Sequence, residues 1–144
     1  MSYSLDANIL LYASDSGCAH HPRARAFLES CIGTPDLLCL SWSTLMAYLR
    51  IATHPSVFAR PLTPDEATGN VQAILSLAHT RVIAEEKGFW EVYREVTRSI
   101  PVRGNAVPDA HLAALLRQHG IRTLYTHDSD FLRFRFLDVR DPLA

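Results

Sequence analysis

The run PDAHLAALLRQHGIRTLYTHD, from Pro108 to Asp128, decides how the chain is read. Its first part, Pro108–His119, is rich in Ala and Leu and stops at Gly120, the residue type that accepts the left-handed turn closing a helix. Its second part, Ile121–Thr126, mixes β-branched and aromatic residues and reads as a strand. A helix that feeds a strand of a parallel sheet runs antiparallel to it. The helix N-terminus and the strand's carboxyl end therefore share one edge of the sheet. Asp109, opening the helix, and Asp128, just past the strand, are expected together at that edge.

The same alternation runs outward through the rest of the chain. Ser2–Leu5 reads as a strand and Asn8–Ala13 as a short apolar helix. His21–Cys31 carries Ala24, Phe27, Leu28 and Cys31 at helical spacing and ends at Gly33. Leu37–Leu40 is a buried strand, and Ser41 caps a helix running to about Thr53, which Pro55 stops. Thr63-Pro64-Asp65-Glu66 is a capping box opening a helix to about Ala78. Arg81–Ala84 is a brief strand. Phe89, Trp90, Tyr93, Val96, Thr97 and Ile100 mark an amphipathic helix, and Leu137–Arg140 a last strand. The order β-α-α-β-α-α-β-α-α-β-β predicts an α/β fold with a mainly parallel sheet and helices on both faces. No repeat, linker or charge block divides residues 1–144, so one domain is expected. In such sheets ligands sit at the carboxyl ends of the strands.

Composition narrows the function classes. The 144 residues are 48% hydrophobic and 20% charged, which supports one buried core and excludes a disordered chain. Fourteen basic against fifteen acidic side chains give a net charge of −1, so the chain is not a basic coat for nucleic acid. A nucleic-acid role requires a local basic patch and a metal. Lys87 is the only lysine, a bias that genomic composition explains as well as phosphate recognition does. Cys18, Cys31 and Cys39 form no C-x-x-C pair, which fits reduced thiols in a cytoplasmic protein rather than a disulfide framework or a zinc ribbon. The apolar run Leu5–Tyr12 is short and broken by Asp6 and Asn8, so neither a signal peptide nor a membrane span is expected.

Asp6 follows the first strand as Asp128 follows a later one, which adds a third acid to the edge that holds Asp109. Asp130 lies two residues on and can reach the same place. Asp109 beside Pro108 is also an ordinary helix-start residue, and Asp128 an ordinary turn cap. Asp6, set between Leu5 and Ile9-Leu10-Leu11, is harder to explain by structure alone. Two carboxylates about 4 Å apart repel by roughly 4 kcal/mol at an effective dielectric near 20. A hard divalent cation relieves that repulsion and can activate water.

The segments Leu5-Asp6-Ala7-Asn8-Ile9-Leu10-Leu11-Tyr12-Ala13, Tyr48-Leu49-Arg50-Ile51-Ala52-Thr53-His54-Pro55, Arg103-Gly104-Asn105-Ala106-Val107-Pro108-Asp109-Ala110-His111-Leu112-Ala113-Ala114-Leu115 and Thr126-His127-Asp128-Ser129-Asp130-Phe131 together resemble the PIN-domain ribonucleases, in particular toxins of the VapC type. The resemblance runs nearly end to end. It implies sheet order 3-2-1-4-5 and Mg²⁺- or Mn²⁺-dependent endonucleolytic cleavage of structured RNA, such as tRNA or rRNA loops. It also implies a cytoplasmic homodimer held in check by a cognate VapB-type antitoxin. Carried over by motif, Asp6, Asp109 and Asp128 are the catalytic and metal-site acids, with Asp130 nearby. Asn8 and Thr126 are polar supports, and Asn105 orders the loop before Asp109.

The sequence departs from the family at one place. PIN nucleases usually carry a glutamate three residues before the arginine that aligns with Arg50, and here that residue is Ala47. Glu85 and Glu86 follow a strand two places from the first, so Asp130 is the nearer acid to compensate, and Ser43, one helical turn before Ala47, could hold a metal-bound water. With one charge missing, one metal is expected to bind well and a second weakly. The alternative is a weakened PIN domain that binds RNA or antitoxin without efficient cleavage. An aspartyl phosphatase requires D-x-D-x-T, which Asp6-Ala7-Asn8-Ile9-Leu10 lacks. Arg50 and Arg103 are candidates for RNA phosphate contact or for ion pairs with the acids. Phe131-Leu132-Arg133-Phe134-Arg135-Phe136 interleaves aromatic and basic residues, a pattern that fits a stacking and phosphate surface for single-stranded RNA, but is read first as a turn into the last strand with phenylalanines inward and arginines outward. Seven histidines form no zinc motif.

Overall fold

The computed structural model describes residues 1–144. Five short strands, β1 (Ser2–Leu5), β2 (Leu37–Ser41), β3 (Thr80–Ile83), β4 (Thr123–Tyr125) and β5 (Asp138–Arg140), pair in parallel in the order β3-β2-β1-β4-β5. This is the expected architecture and strand order. Six α-helices connect them: α1 (Ala7–Ser14), α2 (His21–Ile32), α3 (Trp42–Ala52), α4 (Pro64–Leu75), α5 (Phe89–Thr97) and α6 (Ala106–Gln118).

Alternation along the strands sorts the helices onto two faces. Tyr3, Leu5, Leu38 and Leu40 point to one face and pack against residues of α1, α3 and α4, with Phe27 and Leu28 of α2 at the margin. Cys39, Ile83 and Leu124 point to the other face and pack against α6, with Phe89, Tyr93 and Val96 of α5 over it. Of the central helix α6, Ala110 and Leu112–Leu116 are all buried, as a helix pressed on a sheet requires.

Several boundaries differ from the sequence reading, each for a local reason. Helix α1 starts at Ala7 because Asp6 is its N-cap, the carboxylate accepting from the Ala7 N–H at 2.7 Å. Helix α6 starts at Ala106, so Asp109 lies in its first turn rather than opening it. Pro108 fits there because first-turn N–H groups have no helical partner. Strand β4 is shortened to three residues because Gly120, at φ 69°, and Ile121 close α6: their N–H groups bond to the carbonyls of Arg117 and Leu116, a Schellman arrangement. Helices α4 and α5 end early, where three-residue turns take over from Ile74 to Thr80 and from Thr97 to Ile100.

The element that sequence reading missed is a 3₁₀ helix, Ser129–Arg133, between β4 and β5. Asp128 caps it, its carboxylate accepting from the Asp130 N–H at 2.8 Å. Phe131 and Phe134 are buried, while Arg133 and Arg135 are exposed, so the inward and outward pattern holds on a helix turn rather than an extended one. Tyr93 packs into the core on α6, whereas Trp90 stacks on it from outside and stays 61% exposed.

Leu124 is fully buried at the centre of the sheet. Leu124→Ala is expected to lower stability by about 2–5 kcal/mol through lost transfer energy and an unfilled cavity, measured by urea denaturation; a loss under 1 kcal/mol would place β4 outside the core.

Candidate metal centre

The site is built where two neighbouring strands end. Leu5 pairs with Tyr125 in the parallel ladder, and the Asp6 N–H donates to the Tyr125 carbonyl at 3.0 Å. Asp6 and Thr126 therefore leave the sheet side by side. The buried Thr126 hydroxyl donates to Asp6 Oδ2 at 2.9 Å and accepts from the Asp128 N–H at 3.0 Å and from Asn8 Nδ2 at 3.4 Å. One donor and two acceptor positions are all a hydroxyl has, so Thr126 is saturated as the hub that ties α1 to the segment after β4.

Helix α6 brings Asp109 to this edge by its direction, because a helix feeding a parallel strand runs antiparallel to it. Asp109, Asp128 and Asp130 each turn a carboxylate oxygen into a group whose members all lie within 4.8 Å of one another. Asp6 stands beside this trio. One of its oxygens caps α1 and the other is held by Thr126. Burial pushes the Asp6 carboxyl up, the Asp128 charge adds to it, and the bonds from Thr126 and Ala7 oppose it. Burial, followed by the charges of Asp128, Asp6 and Asp130, pushes Asp109 up to about 6.

The opposing cation is Arg133. Its guanidinium lies 3.9 Å from Asp130 Oδ1, its Nε donates to the Asp130 carbonyl at 3.0 Å, and its charge pulls Asp109 down. Sequence reading placed Arg133 only in an alternating aromatic and basic run. The signal that could have found it is its spacing of three from Asp130, which meets on one face once the segment is helical.

The donor set fits a hard divalent cation. The clustered donors are all carboxylate oxygens, no thiol or imidazole is among them, and such ions prefer oxygen. Asn8 Oδ1 is buried without a hydrogen-bond partner, a further oxygen at the same edge. Burial is the larger cause of the raised Asp109 carboxyl, and the crowding by Asp128, Asp6 and Asp130 that adds to it is the repulsion that a cation removes.

The remaining candidates fall around this centre. The Ser43 hydroxyl lies 2.9 Å from that of Ser41, the N-cap of α3, and Ala47 is half-buried one turn further along that helix. Asn105 occupies the N-cap of α6 without a side-chain cap bond; the turn there is made by Gly104, at φ 58°, and by backbone bonds to the Arg103 and Gly104 carbonyls. Arg50 and Arg103 are exposed, and the ion pair with the acids is made by Arg133 instead. Glu85 pairs with His111, and Glu86 is clamped by Gln118 on the flank of α6, outside the acid group. A cavity of about 480 Å³ lies elsewhere: an apolar cleft among α1–α4 lined by Leu10, Leu28, Ile74 and Leu77.

Comparison with known proteins places this geometry. The PIN domain family model matches residues 3–137. The chain is 40% identical over 144 residues to a Mycobacterium tuberculosis protein named Ribonuclease VapC48, covering 100% of this chain and 99% of that one. It is 31% identical over 139 residues to Ribonuclease VapC43 of the same organism, covering 96% and 94%. Among solved structures, VapC20 of M. tuberculosis, described as a Sarcin-Ricin loop cleaving toxin, superposes with a TM-score of 0.71 at 22% identity, covering 96% of this chain and 98% of that one. VapBC2 from Rickettsia felis, bound to a DNA fragment from its promoter, gives 0.71 at 18% identity, covering 98% of each chain.

The raised carboxyl has a sign that can be checked. Asp109 is pushed up to about 6 in the fold against an ordinary 3.8, so between these values this carboxyl holds more proton in the folded chain than in the unfolded one. Its contribution to stability without metal therefore falls as pH rises through that window. Asp109→Asn in chelator is expected to melt higher than the parent above pH 6, with the difference vanishing toward pH 4. Equal melting temperatures across the range would show that the Asp109 carboxylate is not destabilised by its burial and its neighbours.

Proposed function

The chain belongs to the PIN-domain family, and on that basis we propose that it is a VapC-type endoribonuclease, the toxin of a toxin–antitoxin pair, cutting structured RNA such as tRNA or rRNA loops with Mg²⁺ or Mn²⁺. Full-length likeness to proteins named ribonucleases supports the activity. The observation that carries the chemistry is the trio of carboxylates within 4.8 Å of one another beside Asp6.

Asp109, Asp128 and Asp130 would hold the cation, with Asp6 on its flank. When bound, the cation supplies acidification of a water and neutralisation of charge on the phosphate. The chain's own groups fix the arrangement. Thr126 holds the Asp6 carboxylate and the Asp128 backbone in one relation, and Asn8 presents its unpaired Oδ1. Arg50, Arg103 and Arg133 offer guanidinium forks for RNA phosphates. Ser43 and Asn105, at the starts of α3 and α6, are auxiliary polar groups on the same edge. No side-chain nucleophile is required, and no strand-to-helix elbow presents one. The retained acids favour turnover over the weakened form that Ala47 suggests.

A cognate VapB-type antitoxin and a second copy of the chain are its proposed partners, and the cytoplasm its compartment. No helix is long and apolar enough to cross a membrane.

Purified chain with labelled total RNA is expected to give discrete cuts in Mg²⁺ or Mn²⁺ that disappear in EDTA and in Asp109→Asn. Cuts persisting in EDTA would exclude this chemistry, and phosphate release from p-nitrophenyl phosphate would favour a phosphatase. Calorimetric titration with Mn²⁺ should show one tight ion and one weak one. Ala47→Glu should tighten the weaker by on the order of tenfold, as an added charge near a cation does; two equally tight sites in the parent would contradict the missing ligand.

A further inference from the structure

Three rings outside the acid group form a cluster at the same edge of the sheet. Tyr12 lies one turn beyond Asn8 on α1, so it shares the face that Asn8 turns toward Thr126. His20 ends the loop before α2, and His127 sits between Thr126 and Asp128. Ring centroids are 5.1 Å apart for Tyr12 and His20, 4.6 Å for His20 and His127, and 6.0 Å for Tyr12 and His127. Those separations are contact distances for aromatic rings.

The cluster is braced on one side and half open on the other. His127 Nδ1 lies 2.8 Å from Asp141 Oδ2, and the other oxygen of Asp141 accepts from the Leu143 N–H at 2.9 Å. This fixes the His127 ring and leaves its Nε2 edge unused. All three rings are half-buried. Ile9, Ala24 and Leu143, with Tyr12 packed against them, already join α1 to the chain's end, so that seam does not require the two imidazoles and the carboxylate, which lose hydration on burial. Burial, followed by the charges of Cys18, Asp6 and Asp128, pushes the Tyr12 phenol up, so the hydroxyl stands in the field of the metal-site acids.

RNA supplies what fits beside such acids. A phosphate held over Asp109, Asp128 and Asp130 carries a nucleobase one sugar away, and His127 is the chain neighbour of Asp128. Unpaired bases are recognised by stacking on aromatic side chains and by hydrogen bonds at their edges. We propose that Tyr12, His20 and His127 form a stacking platform for an unpaired nucleobase adjoining the cut phosphate, so that the site selects single-stranded RNA. The platform rests on the ribonuclease reading for the position of the phosphate. Because stacking tolerates any base, the platform sets strandedness more than sequence.

The test uses the full chain with Ca²⁺ in place of Mg²⁺ and fluorescence anisotropy of two labelled dodecamers, one of adenylate and one abasic. The parent is expected to bind the adenylate strand about tenfold more tightly, the usual worth of one stacked base. His20→Ala and Tyr12→Leu should abolish that preference, and His20→Phe should restore it by returning a ring. Melting temperatures show which variants are folded. If Tyr12→Leu is not, His20→Ala decides, since its side chain lies in a loop. Equal binding of the two strands by the parent, or an undiminished preference in folded His20→Ala, overturns the platform. Metal-dependent cutting of RNA by a folded His20→Ala that keeps the adenylate preference overturns the platform and leaves the ribonuclease reading standing. A base preference lost in His20→Ala, without metal-dependent cleavage of any RNA, supports the platform and removes the ribonuclease reading.

Discussion

Two parallel strands that end together set the constraint from which the rest follows. Strands β1 and β4 are neighbours in register, so the residues after them, Asp6 and Thr126, leave the sheet at one point. A single hydroxyl then joins both sides by donating to Asp6 and accepting from Asn8 and the Asp128 backbone. Helix α6 runs back against β4 and delivers Asp109 to the same point. The crossover rules of a parallel sheet make this convergence a property of the topology rather than of any one contact.

Convergence of like charge is unfavourable by itself. Half-buried and facing three other acids, Asp109 is pushed up to about 6, and Arg133 offsets this from within the chain. A domain of this size is stable by a small margin, so a repulsion retained at its edge is tolerable when a ligand relieves it. The chain thus divides the work. Apolar packing on both faces of the sheet holds the edge rigid, and the edge holds charges that only a cation satisfies.

What the sequence disclosed follows from how far each signal reaches. Asp6, Asp109 and Asp128 were legible because strand ends and a helix start fix their positions without knowledge of packing. Thr126 was legible as a support, but not as a hub with three bonds, because its partners are up to 120 residues away in the chain. Asp130 was legible from its place two residues past Asp128, but the pairing of Arg133 with it depends on the 3₁₀ turn after Asp128. The sequence marks that turn only by an Asx cap, which looks the same in a loop. The rings of Tyr12, His20 and His127 come from three separate segments, and no periodicity links them. The late start read for α6 reflects the weight given to Pro108, which a first helical turn accepts as readily as a start.

The central claim is that the acids at this edge share one cation, and anomalous diffraction from crystals grown with Mn²⁺ tests it most directly. A single strong peak about 2.1 Å from oxygens of Asp109 and Asp128, the distance expected for a small octahedral ion, is the predicted result. Crystals that show no peak there, or a peak only at surface carboxylates elsewhere, would contradict the account.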